Sequence, residues 1–383
     1  MARVPGTSYE TLELPPNPPG NGDPCWCSSG VIYEECHLNR HLQVPEPRWE
    51  LLRQVRQLHQ SQYCSHPSAS SANCNGGIVR SHTVQRSGPL SSIAVNGQVY
   101  GIDMSSQPNS DGTPPFKLIG LRRASTFTGF CAKHDAEFFR VLETQPFVAS
   151  KEQLFLLAYR ALSKEIYAKK FAIRSIPLLR KGDVGRNPVE QVQLQKDLYL
   201  HEQALRLGLR DLESSWKDYQ AAFFSSDYDR FSAYLIFANA APDFAVSGGL
   251  YPEFDFQGRV IQNLAAPGRL DLITCTVLPL QPGGVIAFVW DSKSAKSCNG
   301  LASSLDKPPP GEVPDALVRF TFEHFENSYA SPRWWEGLQE RQRQRLLGRM
   351  ALAASSDAVR RADCLLDDGL RTATWKVIAR EWL

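Results

Sequence analysis

The chain has 383 residues, 42% of them apolar and 21% charged, which excludes a disordered chain and leaves room for about two or three domains. A net charge of +2 excludes a global field drawing it to nucleic acid or an acidic membrane, so any nucleic-acid contact needs a local basic patch. The most apolar helical stretch, from Leu154, is broken by Arg160, Lys164 and Glu165, short of the roughly 20 apolar residues of a membrane span.

The opening MARVPGTSYETLELPPNPPG lacks the apolar core of a secretory signal, and residues 1–23 read as an extended tail rich in Pro, Gly and Asn. Nine cysteines are an odd number, and six lie before residue 132 with histidines nearby. That clustering favours thiolate ligands in a reducing cytoplasm over a disulfide framework. Residues 24–44 hold Cys25, Cys27, Cys36 and His37 at C-x-C-x8-C-H spacing. Four such groups satisfy tetrahedral zinc and leave no position for water, which makes the ion structural.

This stretch resembles the SEC-C motif, a small zinc module found at the C-terminus of the preprotein translocase ATPase and attached to many other bacterial proteins. The chain keeps Cys25, Cys27, Ser29, Gly30, Tyr33, Cys36 and His37. It departs at Ser28, where glycine is usual, and at Val31, Ile32 and Glu34, where lysines are common. The resemblance covers residues 25–37 and implies a zinc knuckle without the family's basic surface.

Residues 45–146 read as a zinc-centred region. A helix from Arg48 to Tyr63 carries Leu51, Leu52, Val55 and Leu58 on one face, while Arg48, Arg53 and Arg56 form a solvated basic face. Cys64, Cys74, Cys131 and His134 then arrive as two pairs, with His82 between them and His66 as a spare ligand. IVRSHTVQ has the β-branched character of a strand, SSIAVNGQVYGID reads as a hairpin turning at Asn96-Gly97, and a helix opens after Cys131. This order is similar to a treble-clef zinc fold, and in particular to HNH nucleases.

That likeness implies His82 as general base, with His134 and Asp135 or Glu137 holding Mg²⁺ or Mn²⁺ and Asn96 or Asn109 orienting the site. Ser81 stands where a carboxylate ligand is usual, and nine residues separate the first cysteine pair where two are usual. His134 is also claimed by the structural zinc. The alternative for His82 is a core histidine hydrogen-bonded to backbone.

Residues 147–228 are expected to be helical. One long helix runs over 150–174, and a second starts with Asn187 as N-cap, Pro188 and Glu190 and runs to about Phe224, as an antiparallel pair. Residues 229–383 read as sheet plus helices. FSAYLIFAN, FAVSGGLY, FDFQGRVIQNL, LDLITCTVLPL and GVIAFVWDSK are the expected strands of a mostly antiparallel sheet. Asp291-Ser292-Lys293, with Glu253, Asp255 or Asp271, echoes a D-x-K nuclease arrangement that is common by chance. ALVRFTFEHFENSY is strand or helix, with His324 and Glu326 on the surface. SPRWWEGLQERQRQRLLGRMALAAS reads as one helix capped by Ser331, whose arginines, with Trp334 and Trp335 nearby, form the densest basic patch. Cys275, Cys298 and Cys364 read as packing residues.

The expected protein is α+β, bacterial-type and cytoplasmic: an N-terminal zinc knuckle, a treble-clef-like zinc centre, a long helical pair, and a mostly antiparallel sheet with C-terminal helices. One or two structural zincs and the binding of nucleic acid or a protein partner, with no membrane, form the leading expectation. An HNH-like endonuclease using His82 is the alternative. Nothing in the pattern bears on oligomeric state.

Overall fold

Residues 19–58, 63–103, 115–354 and 360–383 are described by a computed structural model. The expected tail before residue 19, Asn109, and the side chains of Arg48 and Arg56 lie outside the described residues. The strands are β1 (Ile78–His82), β2 (Gln98–Ile102), β3 (Phe116–Gly120), β4 (Thr126–Cys131) and β5 (Phe231–Ala238). They continue with β6 (Phe244–Leu250), β7 (Ile273–Pro279), β8 (Gly284–Asp291), β9 (Ser328–Ala330) and β10 (Val377–Trp382). The chain divides into two compact units, one of Tyr63–Glu165 with Ser214–Leu383, the other of residues up to Gln62 with Ile166–Glu213.

The first unit is built on an eight-stranded sheet in the order β10-β5-β8-β7-β6-β9-β2-β3, with every neighbouring pair antiparallel. An antiparallel sheet commonly leaves one face in water and alternates apolar with polar residues. Here β7 and β8 are buried along their whole length, which explains continuous runs such as GVIAFVW. One face, through Tyr234, Ile236, Ile286 and Phe288, packs with Leu301, Leu317, Phe320, Trp334, Trp335 and Leu346 from the C-terminal helices. On the other, Phe231 meets Phe155 and Tyr219 at ring distances of 5.2 and 4.8 Å.

The two long helices are Lys151–Leu179 and Pro188–Ser225. The first extends past the expected Arg174 and includes Pro177 near its end. The second starts as expected, with Asn187 Oδ1 accepting the Glu190 N–H at 3.0 Å. They run antiparallel: in the first unit the Tyr159 ring meets Trp216, and in the second Lys170 pairs with Glu213.

Four of the five expected strands form. FDFQGRVIQNL does not, apart from a single bridge between Phe254 and Val260. The fully buried Asp255 carboxylate accepts the backbone N–H groups of Gln257 and Arg259 and the Arg259 guanidinium, folding the segment into a turn. The Asn96-Gly97 turn forms with both residues at positive φ, and Val95 and Gln98 exchange backbone hydrogen bonds of 3.0 Å. The hairpin goes no further, because Ser91–Ile93 is a helical turn that buries Leu90 and Ile93 against Val99 and Ile119. β2 pairs with β3 instead.

Val313–His324 is helical and Glu326 is exposed, while His324 is half-buried, its Nδ1 enclosed without a hydrogen-bond partner. The expected single C-terminal helix is two, Pro332–Gly337 and Glu340–Ala354. Leu338 turns extended to reach the core, and Gln342 Oε1 accepts the Gln339 N–H at 2.8 Å ahead of the second helix. Ser331 makes no side-chain cap hydrogen bond.

Candidate metal centres

Among the described residues, two groups of cysteine and histidine converge: Cys25, Cys27, Cys36 and His37, and Cys64, Cys74, Cys131 and His134. Within each group all four ligand atoms lie within 4.8 Å of one another.

The first centre lies in the second unit. Ser28 N–H donates to Cys25 carbonyl at 3.2 Å and Cys25 N–H to Val31 carbonyl at 3.0 Å, curling the C-x-C pair back on itself. Ser28 and Gly30 adopt left-handed φ values of 56° and 80° to close that curl. A short helix, Tyr33–Cys36, returns Cys36 and His37 to the loop. His37 Nδ1 is 3.1 Å from the sulfurs of both Cys25 and Cys36, and Cys27 Sγ is 3.5 Å from Cys36 Sγ. Tetrahedral zinc sets S···N near about 3.5 Å and S···S near about 3.8 Å. The residues fit zinc. The Ser29 hydroxyl lies 3.1 and 3.3 Å from the sulfurs of Cys27 and Cys36.

Hydrogen bonds from Cys25 and Cys36 hold the Cys27 thiol far below its ordinary value, while contacts with Cys27 and Cys36, together with burial, push Cys25 up. Burial opposes charge on His37, but its hydrogen bond to Asp183 and the neighbouring thiols raise it to about 10. Cysteine ligates a dication as the thiolate and histidine as the neutral ring, so metal binding at this centre would release protons.

The second centre lies in the first unit and is built from a loop, a strand pair and a helix. Cys64 and Cys74 come from the loop before β1, which pairs antiparallel with β4. Cys131 ends β4 and caps the helix Ala132–Phe138, its sulfur accepting the His134 N–H at 3.4 Å. The Asn75-Gly76-Gly77 turn seats Cys74 beside that helix: Ala132 N–H donates to Gly77 carbonyl, and a Cβ on Gly76 would meet Ala132 Cβ at 2.8 Å. His134 Nδ1 is 3.3 Å from the sulfurs of Cys64 and Cys131 and 3.7 Å from that of Cys74, again a fit to tetrahedral zinc. Burial pushes the Cys64 thiol up to about 12. Burial opposes ionisation of Cys131 too, but backbone hydrogen bonds at His134 and Asn75 lower it.

The remaining sequence candidates lie elsewhere. His66 is no member of the cluster; its ring stacks on His134, and its Nδ1 accepts the Ser68 N–H. His82 joins neither cluster: its Nε2 lies 3.2 Å from Leu121 carbonyl, and burial lowers its pKa. Ser81 is fully buried, Asn96 is exposed in its turn, and Glu137 is exposed. Asp291 is held by Arg230 at 2.7 Å and caps the turn at Lys293, whose ammonium pairs with Asp218. Asp271 accepts from Ser297, so these carboxylates do not converge on a cation position. Three of the patch arginines are paired, Arg343 with Glu340, Arg345 with Asp368, and Arg349 with Glu323 and Asp368, while Arg341 is exposed. Trp334 and Trp335 are buried in the core.

Sequence reasoning missed Asp183, whose carboxylate lies 3.0 Å from His37 Nε2. It stands 146 positions away in a turn between the long helices, and no spacing pattern marks it. None of the nine cysteines forms a disulfide. No helix of the described residues is long and apolar enough to cross a membrane. Compared with models of known families, with curated proteins and with solved structures, the chain matches none.

Proposed function

We propose that this is a zinc protein in which both ions fasten the fold, and that its work is to bind a protein partner without catalysing a reaction. The observation that carries this reading is closure: each cluster has four protein ligands within 4.8 Å of one another, which leaves no open position where a metal would activate water. The N-terminal centre is read as a SEC-C-like module. Val31 and Ile32, standing where that family commonly has lysines, are exposed, as are Leu42, Val44 and Trp49 close by in sequence. Exposed apolar residues of this kind favour a protein partner. Nucleic acid is the weaker candidate, because Arg343, Arg345 and Arg349 are ion-paired and Trp334 and Trp335 are buried.

The test measures metal content, nucleic-acid binding and cleavage on the same protein. Two zincs per chain, no salt-sensitive binding and no cleavage with Mg²⁺ or Mn²⁺ are expected. Cleavage abolished by His82→Ala would replace this reading with an HNH-like nuclease. Tight binding that weakens steeply with salt would replace the protein partner with nucleic acid.

A further inference from the structure

Asp183 is fully buried and ends the short turn Arg180–Asp183 between the two long helices. A buried carboxylate is tolerated only when its charge is met by several donors. Three meet this one: Arg40 Nε at 2.6 Å on Oδ1, and Gln195 Nε2 at 2.7 Å and His37 Nε2 at 3.0 Å on Oδ2. The last is the imidazole whose other nitrogen faces the sulfurs of Cys25 and Cys36. The same neighbourhood holds the backbone of the ligand loop. Arg180 donates to Cys27 carbonyl at 3.0 Å, and Arg40 to Cys36 carbonyl at 3.0 Å and to Arg180 carbonyl at 3.1 Å.

A histidine that ligates through Nδ1 must carry its proton on Nε2. A carboxylate on that N–H fixes the tautomer, aims the ring and strengthens the donor nitrogen. We propose that Asp183 is the positioning residue of the first metal centre, holding His37 in the ligating tautomer from the turn between the long helices. This deepens the structural-zinc reading above and rests on it. Its consequence is that metal affinity at the knuckle is set by a residue outside the ligand stretch.

The experiment measures zinc affinity at each centre by chelator competition on the full chain, with the second centre as internal reference. Asp183→Ala should weaken the first centre about 10- to 100-fold and leave the second unchanged. Asp183→Asn, which keeps size and an acceptor oxygen, should fall between. Gln195→Ala, which removes a donor to the same carboxylate without touching His37, should cost far less.

The decisive comparison is made in a His37→Cys background, where the fourth ligand has no tautomer to fix. There Asp183→Asn should no longer weaken the first centre. A loss that persists in that background, or an Asp183→Ala protein within twofold of wild type, overturns the proposal. If Asp183→Ala does not fold, the Asn pair still decides. A wild type that binds one zinc, kept in Cys27→Ser and lost in His134→Ala, overturns this proposal while the second centre stands. One zinc with the opposite pattern sinks the two-centre reading and leaves Asp183 to its own test.

Discussion

The ring of His66 stacks on that of His134, centroids 4.0 Å apart and planes within 4°. Phe138 and Phe223, themselves neighbours, meet His66 edge-on at 4.8 and 5.2 Å and steady the stack. The arrangement fixes the plane of a ligand ring through apolar contact. Ring pairs contribute about 0.5–1.5 kcal/mol beyond area burial. His66→Ala should therefore weaken zinc binding at the second centre about two- to tenfold, and His66→Phe should restore most of it. Equal affinity in wild type and His66→Ala, measured by chelator competition, would show that the ring is oriented by other contacts.

His134→Ala removes one of four ligands from the second centre. Metal analysis should fall from two zincs per chain to one, and the remaining ion should be lost on Cys27→Ser. Two zincs retained in His134→Ala would free that histidine from a structural role.

Arg349 reaches Glu323 at 3.0 Å and Asp368 at 2.8 Å, and Glu323 is buried. Arg349→Ala leaves that carboxylate without its cation and should destabilise the protein by about 3 kcal/mol in denaturant unfolding. A change below about 0.5 kcal/mol would place the arginine among ordinary surface charges.

Burial holds His324 well below its ordinary value, assisted by Arg360 and Arg349. Its Nδ1 is enclosed, and its ring packs on Phe320 and Phe325. The unfolded chain takes up a proton that the folded one refuses, so this group's contribution is complete above about pH 6.5 and is lost as pH falls below it. The slope is at most about 1.4 kcal/mol per pH unit. His324→Phe should flatten the acid limb of the stability curve, measured as urea midpoint against pH; an unchanged limb would mean the histidine is protonated in the fold.

Ser28 holds φ at 56° in the exposed curl of the first centre. The left-handed region costs a residue with a Cβ about 1–2 kcal/mol, part of which glycine returns as chain entropy. Ser28→Gly should raise stability by about 0.5–1 kcal/mol with zinc binding intact, read from thermal unfolding. A loss of stability would show that the serine makes a compensating contact.

What was legible in the sequence was whatever depended on neighbours. Asn187-Pro188 announced the second long helix through local cap chemistry, and ligand residues arriving in two pairs announced each cluster. Contacts that form only in the fold were not legible. Asp255 turned a strand-like segment into a loop through hydrogen bonds that its apolar neighbours conceal. Arg345 and Arg349 looked like part of a basic patch because their acidic partners, Asp368 and Glu323, lie on other segments. His82 in its Ser-His-Thr setting looked like a base, yet the fold gives it a backbone carbonyl.

β1 and β4 are paired at the second centre, while the chain between them leaves to supply β2 and β3 at one margin of the large sheet. Cys74 stands just before this excursion and Cys131 just after it. An ion joining those sulfurs would act as a clasp at the neck of the loop, shortening the search that brings the outermost strands to β9. Stripping the metal should therefore loosen the rim of the sheet before its centre, and amide exchange along β2 and β3 would register the release.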